Sequence, residues 1–277
     1  VDKIDVAQDF ITLPNDSLFK LSLYMEAPAF AFGKAFQAGK QRVGFGFSGS
    51  DAIEIALDQE VSDSFAATVS RDRETDTLYY WYKGFDADSL AFTLKHDTLT
   101  KSYAYRVRKG GPDSLSISFA QRGTLHLTDT LMLITNTPIK QFVQDSIRLR
   151  AKDSTLVPFT LTQKSKHELQ FFFDIFPNEK YQLELLPGAV TDFFDIINDS
   201  ISAFLNTKSR VDYGNLSLRL FNVPSFPIFI DLIDAKEEIV RSMYITEGRG
   251  VYRFAYLQPN KYHVRVRIDE NGNGKWD

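Results

Sequence analysis

The stretch HVRVRIDENGNGKWD, residues 263–277, decides how the rest of the chain reads. Val264, Val266 and Ile268 alternate with His263, Arg265 and Arg267, a period of two that a β-strand turns into one apolar and one polar face. Two Asn-Gly pairs follow, Asn271-Gly272 and Asn273-Gly274. These residues tolerate left-handed backbone and reverse a chain tightly. Strand followed by turn recurs throughout. FKLSLYM (19–25) places Phe19, Leu21, Leu23 and Met25 on one face, and SLSISF, YQLEL and LSLRL repeat the pattern around residues 115–119, 181–185 and 216–220. Short alternating strands spaced by turn signals predict sandwiches or barrels.

A triplet Asp-Ser/Thr-Leu begins at Asp16, Asp76, Asp88, Asp97, Asp113 and Asp129. It reads as a strand entrance, with Asp accepting turn N–H groups and Leu opening the buried face. Gly110-Gly111-Pro112 and the polar link 206–214 interrupt the pattern, because neither Gly nor Pro sustains a ladder. The expected domains are therefore 1–108, 115–208 and 212–277. Helix is scarce; VTDFFDIINDS (190–200), after Pro187-Gly188, reads as one short turn-rich helix.

Composition narrows the function classes. At 277 residues, with 43% hydrophobic and 25% charged residues, the chain suits two or three globular domains. Net charge is −4 and no long basic run occurs, which argues against nucleic acid as a partner. The absence of cysteine removes disulfides, thiol catalysis and cysteine-ligated zinc. No apolar run approaches the roughly 20 residues that span a bilayer as a helix. Starting at Val1 without an initiator Met, signal peptide or lipidation cysteine, the chain reads as a mature fragment or the ordered part of a longer protein.

LMLITNTPI (131–139) and YQLELLPGAVTDFFDIINDSISAFLNT (181–207) resemble the bacterial Ig-like domains of Bacteroidota envelope proteins, a type also seen in S-layer proteins. The shared features are a strand ending in a Pro-containing turn, then a Tyr-initiated strand, Gly-Ala, an Asp-containing loop and a closing strand. Ile197-Asn198 stands where the family's loop has Gly-Asn. The flanks 74–84, 212–222 and 252–277 look like the C-terminal part of Ig-like-domain lipoproteins of that phylum. The resemblance implies an all-β fold of tandem β-sandwich domains. The middle one would be Ig-like and the C-terminal one transthyretin-like or carboxypeptidase-regulatory-like. It also implies a cell-envelope location, outer-membrane-anchored through a lipid that this chain does not carry.

Several constellations are candidates for chemistry. Asp269, Asn271, Asn273, Lys275 through its carbonyl, and Asp277 fall on the spacing of a calcium loop, with Gly274 at the sharp bend. The same residues form a plain hairpin turn, and two carboxylates are few for a calcium ion. YYWYK (79–83) directs Tyr79 and Trp81 to one side and Tyr80 and Tyr82 to the other. One side is core; the other is a surface for glycan or protein, or is covered. Gly44, Gly46 and Gly49 have the spacing of a dinucleotide loop, but alternation at Ile53, Ile55 and Leu57 predicts a strand where that site needs a helix. His96, His126, His167 and His263 are scattered, without metal-ligand spacing. The expected function is non-enzymatic: an envelope lipoprotein serving as a structural or accessory interaction scaffold, a subunit of an outer-membrane assembly, with envelope or outer-membrane proteins as partners. The alternative is a glycan-binding module of a polysaccharide-capture system resting on Tyr79 and Trp81.

Overall fold

The computed structural model describes residues 30–49, 53–72, 75–85, 88–107, 110–248 and 250–274. The chain is all-β, built of tandem β-sandwiches, and divides into two compact units. One comprises Val1–Leu115 with Asp192–Ile196, the other Ser116–Thr191 with Ile197–Asp277. FKLSLYM lies outside the described residues.

In the first unit the strands are β1 (Ala31–Gly39), β2 (Arg42–Ser48), β3 (Glu54–Leu57), β4 (Ala66–Asp72), β5 (Thr77–Lys83), β6 (Ser89–His96) and β7 (Leu99–Arg106). They form two antiparallel sheets, β1-β2-β5-β4 and β3-β6-β7. Val43, Phe45, Tyr80 and Tyr82 of one sheet meet Leu90, Phe92 and Leu94 of the other, all buried. Each buried Val, Leu or Phe side chain among them stabilises the fold by about 1.5–3 kcal/mol relative to exposure. On the opposite face of β2, Gly44 makes room for a neighbouring ring: a Cβ there would sit 2.4 Å from Phe36. The glycines of β2 lie in a strand, and the segment after them carries β3 instead of the helix a phosphate loop requires.

The second unit begins with β8 (Ile117–Phe119), β9 (Gly123–Thr124), β10 (Leu131–Thr135), β11 (Ile139–Phe142), β12 (Ile147–Arg150), β13 (Thr160–Ser165), β14 (Glu168–Phe172), β15 (Lys180–Leu185), β16 (Val190–Asp192) and β17 (Ile201–Asn206). Two four-stranded sheets, β13-β14-β10-β8 and β12-β15-β17-β9, enclose Leu131, Leu133, Leu149, Leu169, Phe171 and Leu183; β11 pairs β16. The helix expected over 190–200 is not formed. The buried Asp192 accepts the N–H groups of Phe194 and Ile196 at 2.9 and 2.8 Å, a side-chain-closed turn that competes with helix. At Ile197-Asn198, the buried Asn198 accepts the Val190 N–H at 2.7 Å and donates to the Leu186 carbonyl at 2.9 Å. This Asn stitches the loop without a glycine.

The unit continues with β18 (Gly214–Leu218), β19 (Ile228–Ile233), β20 (Ile239–Ile245), β21 (Tyr252–Leu257) and β22 (His263–Ile268). The pair β18-β21 faces the three-stranded sheet β20-β19-β22 over Ile228, Ile230, Leu232, Tyr252, Phe254 and Leu257. The described residues thus hold three separate hydrophobic clusters.

Candidate functional site

β5 lies between β2 and β4, and its even residues, Tyr80 and Tyr82, take the core side. Tyr79 and Trp81 share the other face, but the indole is only 2% exposed. Its N–H donates to the Ser70 hydroxyl at 2.8 Å, and the Arg42 guanidinium lies 4.7 Å from its ring centre. Phe194, from the Asp192–Ile196 segment of the same unit, meets it edge-on at 6.2 Å. Lys83 at the end of β5 is ion-paired to Asp195 of that segment. The half-buried Tyr79 has the same Arg42 guanidinium 5.1 Å from its ring centre. Trp81 is therefore covered and offers no platform on which a sugar can stack, while Tyr79 keeps part of its ring exposed.

The loop after β22 is built around Asp269, which is 6% exposed. Its Oδ1 accepts the Gly272 N–H at 3.1 Å, while Oδ2 accepts the Gly274 N–H and the Tyr244 hydroxyl, each at 2.9 Å. Burial works against the charge on Asp269. The bonds from Gly274, Tyr244, Gly272 and Asn273 outweigh it and hold the carboxyl below the usual range. Asn271 accepts the Asn273 N–H at 3.0 Å, and Gly272 and Gly274 adopt φ of 67° and 70°. Asp269, Asn271 and Asn273 thus share one closed turn; Lys275 and Asp277 lie outside the described residues. Among the described residues, no three His, Cys, Asp or Glu side chains gather at a spacing that holds a metal.

Sequence reasoning passed over the outer face of the sheet beside this loop. Asp231, in the middle of the apolar run IFIDLI, is fully buried. Its Oδ1 accepts the Ser242 hydroxyl at 2.7 Å, and its Oδ2 faces Arg267 Nε at 2.8 Å and Arg265 Nε at 3.5 Å. One carboxylate thus anchors two guanidinium groups. Arg267 also lies over the Phe229 ring at 5.4 Å, and Phe229 packs on Tyr244 at 4.9 Å between ring centres. The signal available in sequence was the lone acid inside a β-branched run, since a buried carboxylate demands partners.

The four histidines stay apart. His126 Nδ1 lies 3.2 Å from the Tyr213 hydroxyl, His167 Nδ1 lies 3.1 Å from the Thr135 carbonyl, and His96 stacks on Phe30. His263 is exposed at the start of β22.

No family model and no curated protein matches the chain. Solved structures do. Domains 4–9 of the surface layer protein SbsC match at 10% identity over 70% of this chain and 33% of that one, with a TM-score of 0.28. A chimeric titin Z1Z2–Z1Z2 tandem matches at 11% identity over 65% of this chain and 98% of its own, with a TM-score of 0.22. SGBP-B of the Bacteroides ovatus mixed-linkage glucan utilization locus, solved with a mixed-linkage heptasaccharide, matches at 11% over 79% and 64%, with a TM-score of 0.25. These neighbours are Ig-like β-sandwich proteins; at such identities and TM-scores they assign this chain no activity, partner or location.

Proposed function

We propose that this chain is a non-enzymatic interaction scaffold of the cell envelope, held at the outer membrane through a lipid anchor outside this sequence and docking other envelope proteins. The observation that carries the interaction role is the set of large apolar side chains left in water on rigid strands and their connections: Phe204 on β17 is 65% exposed, Phe172 on β14 is 47% and Phe176 is 58%. Rings fixed by a sheet lose little entropy on docking and make effective anchors. The location rests on the family resemblance alone.

The test is isolation of the anchored protein from its native membrane in mild detergent, with and without a calcium chelator. A stoichiometric envelope partner, weakened by Phe204→Asp without loss of fold, is the expected result. Loss of that partner on chelation would assign calcium to the Asp269 loop. Recovery of the protein alone, or a hydrolase activity abolished by one substitution, would overturn the proposal.

One observation favours a glycan-binding module as the second reading: Tyr244 is 39% exposed, beside Phe229 and Arg267, on an open sheet face. Affinity electrophoresis in glucan and uronate gels decides it. Retardation lost in Tyr244→Ala and kept in Tyr244→Phe supports this reading; unretarded migration of the parent ends it.

A further inference from the structure

β22 is an edge strand among the described residues, bonded to β19 alone. Its six residues pair with β19 in continuous register, from Ile233 opposite His263 to Ile228 opposite Ile268. Edge strands are ordinarily blunted by proline, a bulge or a lysine, because their open N–H and C=O groups template further pairing. β22 has no proline, bulge or lysine; the charged side chains that also guard an edge are present as Arg265 and Arg267, both drawn onto Asp231.

Its two faces differ in a way that defines what would pair with it. Val264 and Val266 lie opposite Leu232 and Ile230 on the core side of the sheet. Leu232 and Ile230 are fully buried, whereas Val264 and Val266 remain 43% and 41% exposed. Apolar surface there is left without cover. The outer face carries His263, Arg265 and Arg267. Asp231 anchors both guanidiniums, but Arg267 takes the hydrogen bond and is 12% exposed, whereas Arg265 keeps only an ion pair and is 39% exposed. The stripe is thus pre-organised, and its positive charge is reachable through Arg265.

We propose that the free edge of β22 is a docking site for an extended acidic segment of a partner protein, one in which carboxylates alternate with β-branched apolar residues. Such a segment adds to the sheet as a further strand. Its main chain satisfies the open edge, its carboxylates fall beside Arg265 and His263, and its apolar side chains fall beside Val264 and Val266. Directly opposed cross-strand side chains stand about 5 Å apart, within reach of both contacts. Backbone pairing supplies affinity in strand addition, and alternate side chains supply specificity. The inference rests on the scaffold reading and names the partner chemistry of one of its surfaces.

The test uses the full chain and two blocked hexapeptides, one alternating glutamate with valine and one alternating lysine with valine, followed by fluorescence anisotropy and by the amide shifts of β22. The glutamate peptide is expected to bind at least roughly tenfold more tightly, a difference of about 1.4 kcal/mol. Val266→Lys and Val264→Lys, both at exposed positions, should abolish that binding with the thermal midpoint unchanged. Arg265→Glu should reverse the preference between the peptides.

Equal binding of both peptides, no binding, or binding that survives both valine substitutions would overturn the proposal. Self-association of the chain that Val266→Lys abolishes would also overturn it, making a second copy the occupant. Capture of an envelope partner together with failure of the glutamate peptide would sink this inference and leave the scaffold reading standing. Peptide binding with no captured partner would do the reverse.

Discussion

Trp81 tests whether the face of β5 is covered or open. Removing a buried tryptophan to alanine costs about 3–5 kcal/mol through lost contacts and the cavity left behind. Here the indole also gives up the hydrogen bond to Ser70 and the Arg42 guanidinium over its ring. Trp81→Ala should therefore destabilise the first unit by about 4 kcal/mol, out of a total of order 5–15 kcal/mol for a domain. Trp81→Phe keeps most of the ring contact and loses the N–H donor. It should cost about 1–2 kcal/mol, of which the hydrogen bond is about 1. With a urea slope near 2 kcal/mol per M, the alanine variant shifts the midpoint by about 2 M.

The other tryptophan, Trp276, lies in the C-terminal segment, so whole-chain fluorescence is a poor reporter. Amide exchange of β5 and β15 peptides across a urea series reads each unit separately: β5 should lose protection early and β15 should not. An unchanged β5 midpoint in Trp81→Ala, especially with a loss of glycan affinity, would refute the burial and restore the ring as a ligand platform.

Other outcomes are equally concrete. Asp231→Ala leaves two guanidiniums without their shared carboxylate and should destabilise the C-terminal sandwich by about 3 kcal/mol, seen as lost exchange protection in β19; a change under about 1 kcal/mol would show the charges already screened by solvent. The Asp269 carboxyl is held low by its N–H and hydroxyl donors, so its contribution is complete above the unfolded value near 3.9 and lost as pH falls through the lower folded value. The Gly272 and Gly274 amide shifts should stay constant from pH 7 down to about pH 4, and movement near pH 6 would contradict the bonding described. Tyr82 is pushed up to about 12, by burial first and then by Tyr105. The unfolded phenol ionises near 10 and binds fewer protons than the folded one above that pH, so the first unit should lose stability as pH rises from about 10 to 12. A Tyr82→Phe difference spectrum at 295 nm centred near pH 10 would sink this prediction.

The strands were legible wherever burial is one-sided. YQLEL forms a strand with Tyr181, Leu183 and Leu185 buried as its alternation predicts; HVRVRI forms a strand too, but at a sheet edge where Val264 and Val266 stay exposed. The Asp-Ser/Thr-Leu entrances were legible at three places: Leu78, Leu90 and Leu131 are buried at the openings of β5, β6 and β10. The triplet at Asp113 opens no strand, since β8 starts only at Ile117, and the one at Asp16 lies outside the described residues. Leu99 is 48% exposed, because Asp97 sits at a hairpin turn and the strand it opens, β7, is an edge. The false helix at 190–200 had the right apolar spacing but contained Asp192, whose side chain closes a turn in place of the helical bond.

What could not be read was anything set by register between distant strands. Asp231 looks like an oddity in sequence, and only the pairing of β19 with β22 brings Arg265 and Arg267 to it. Likewise, alternation divides Tyr79 and Trp81 from Tyr80 and Tyr82 but does not say what covers either face.

The first unit is assembled from two pieces of chain, Val1–Leu115 and Asp192–Ile196. A ribosome makes them in that order, so β5 emerges well before Phe194 and Asp195, and the bond between Lys83 and Asp195 spans 112 residues of sequence. At synthesis rates of about 5–20 residues per second, Trp81 waits several seconds with that side uncovered. A chain cut after residue 115 would therefore be a poor stand-in for the first sandwich. It would lack the Phe194 ring against Trp81 and the Asp195 partner of Lys83, and chaperone dependence should centre on the interval before residue 196 is made.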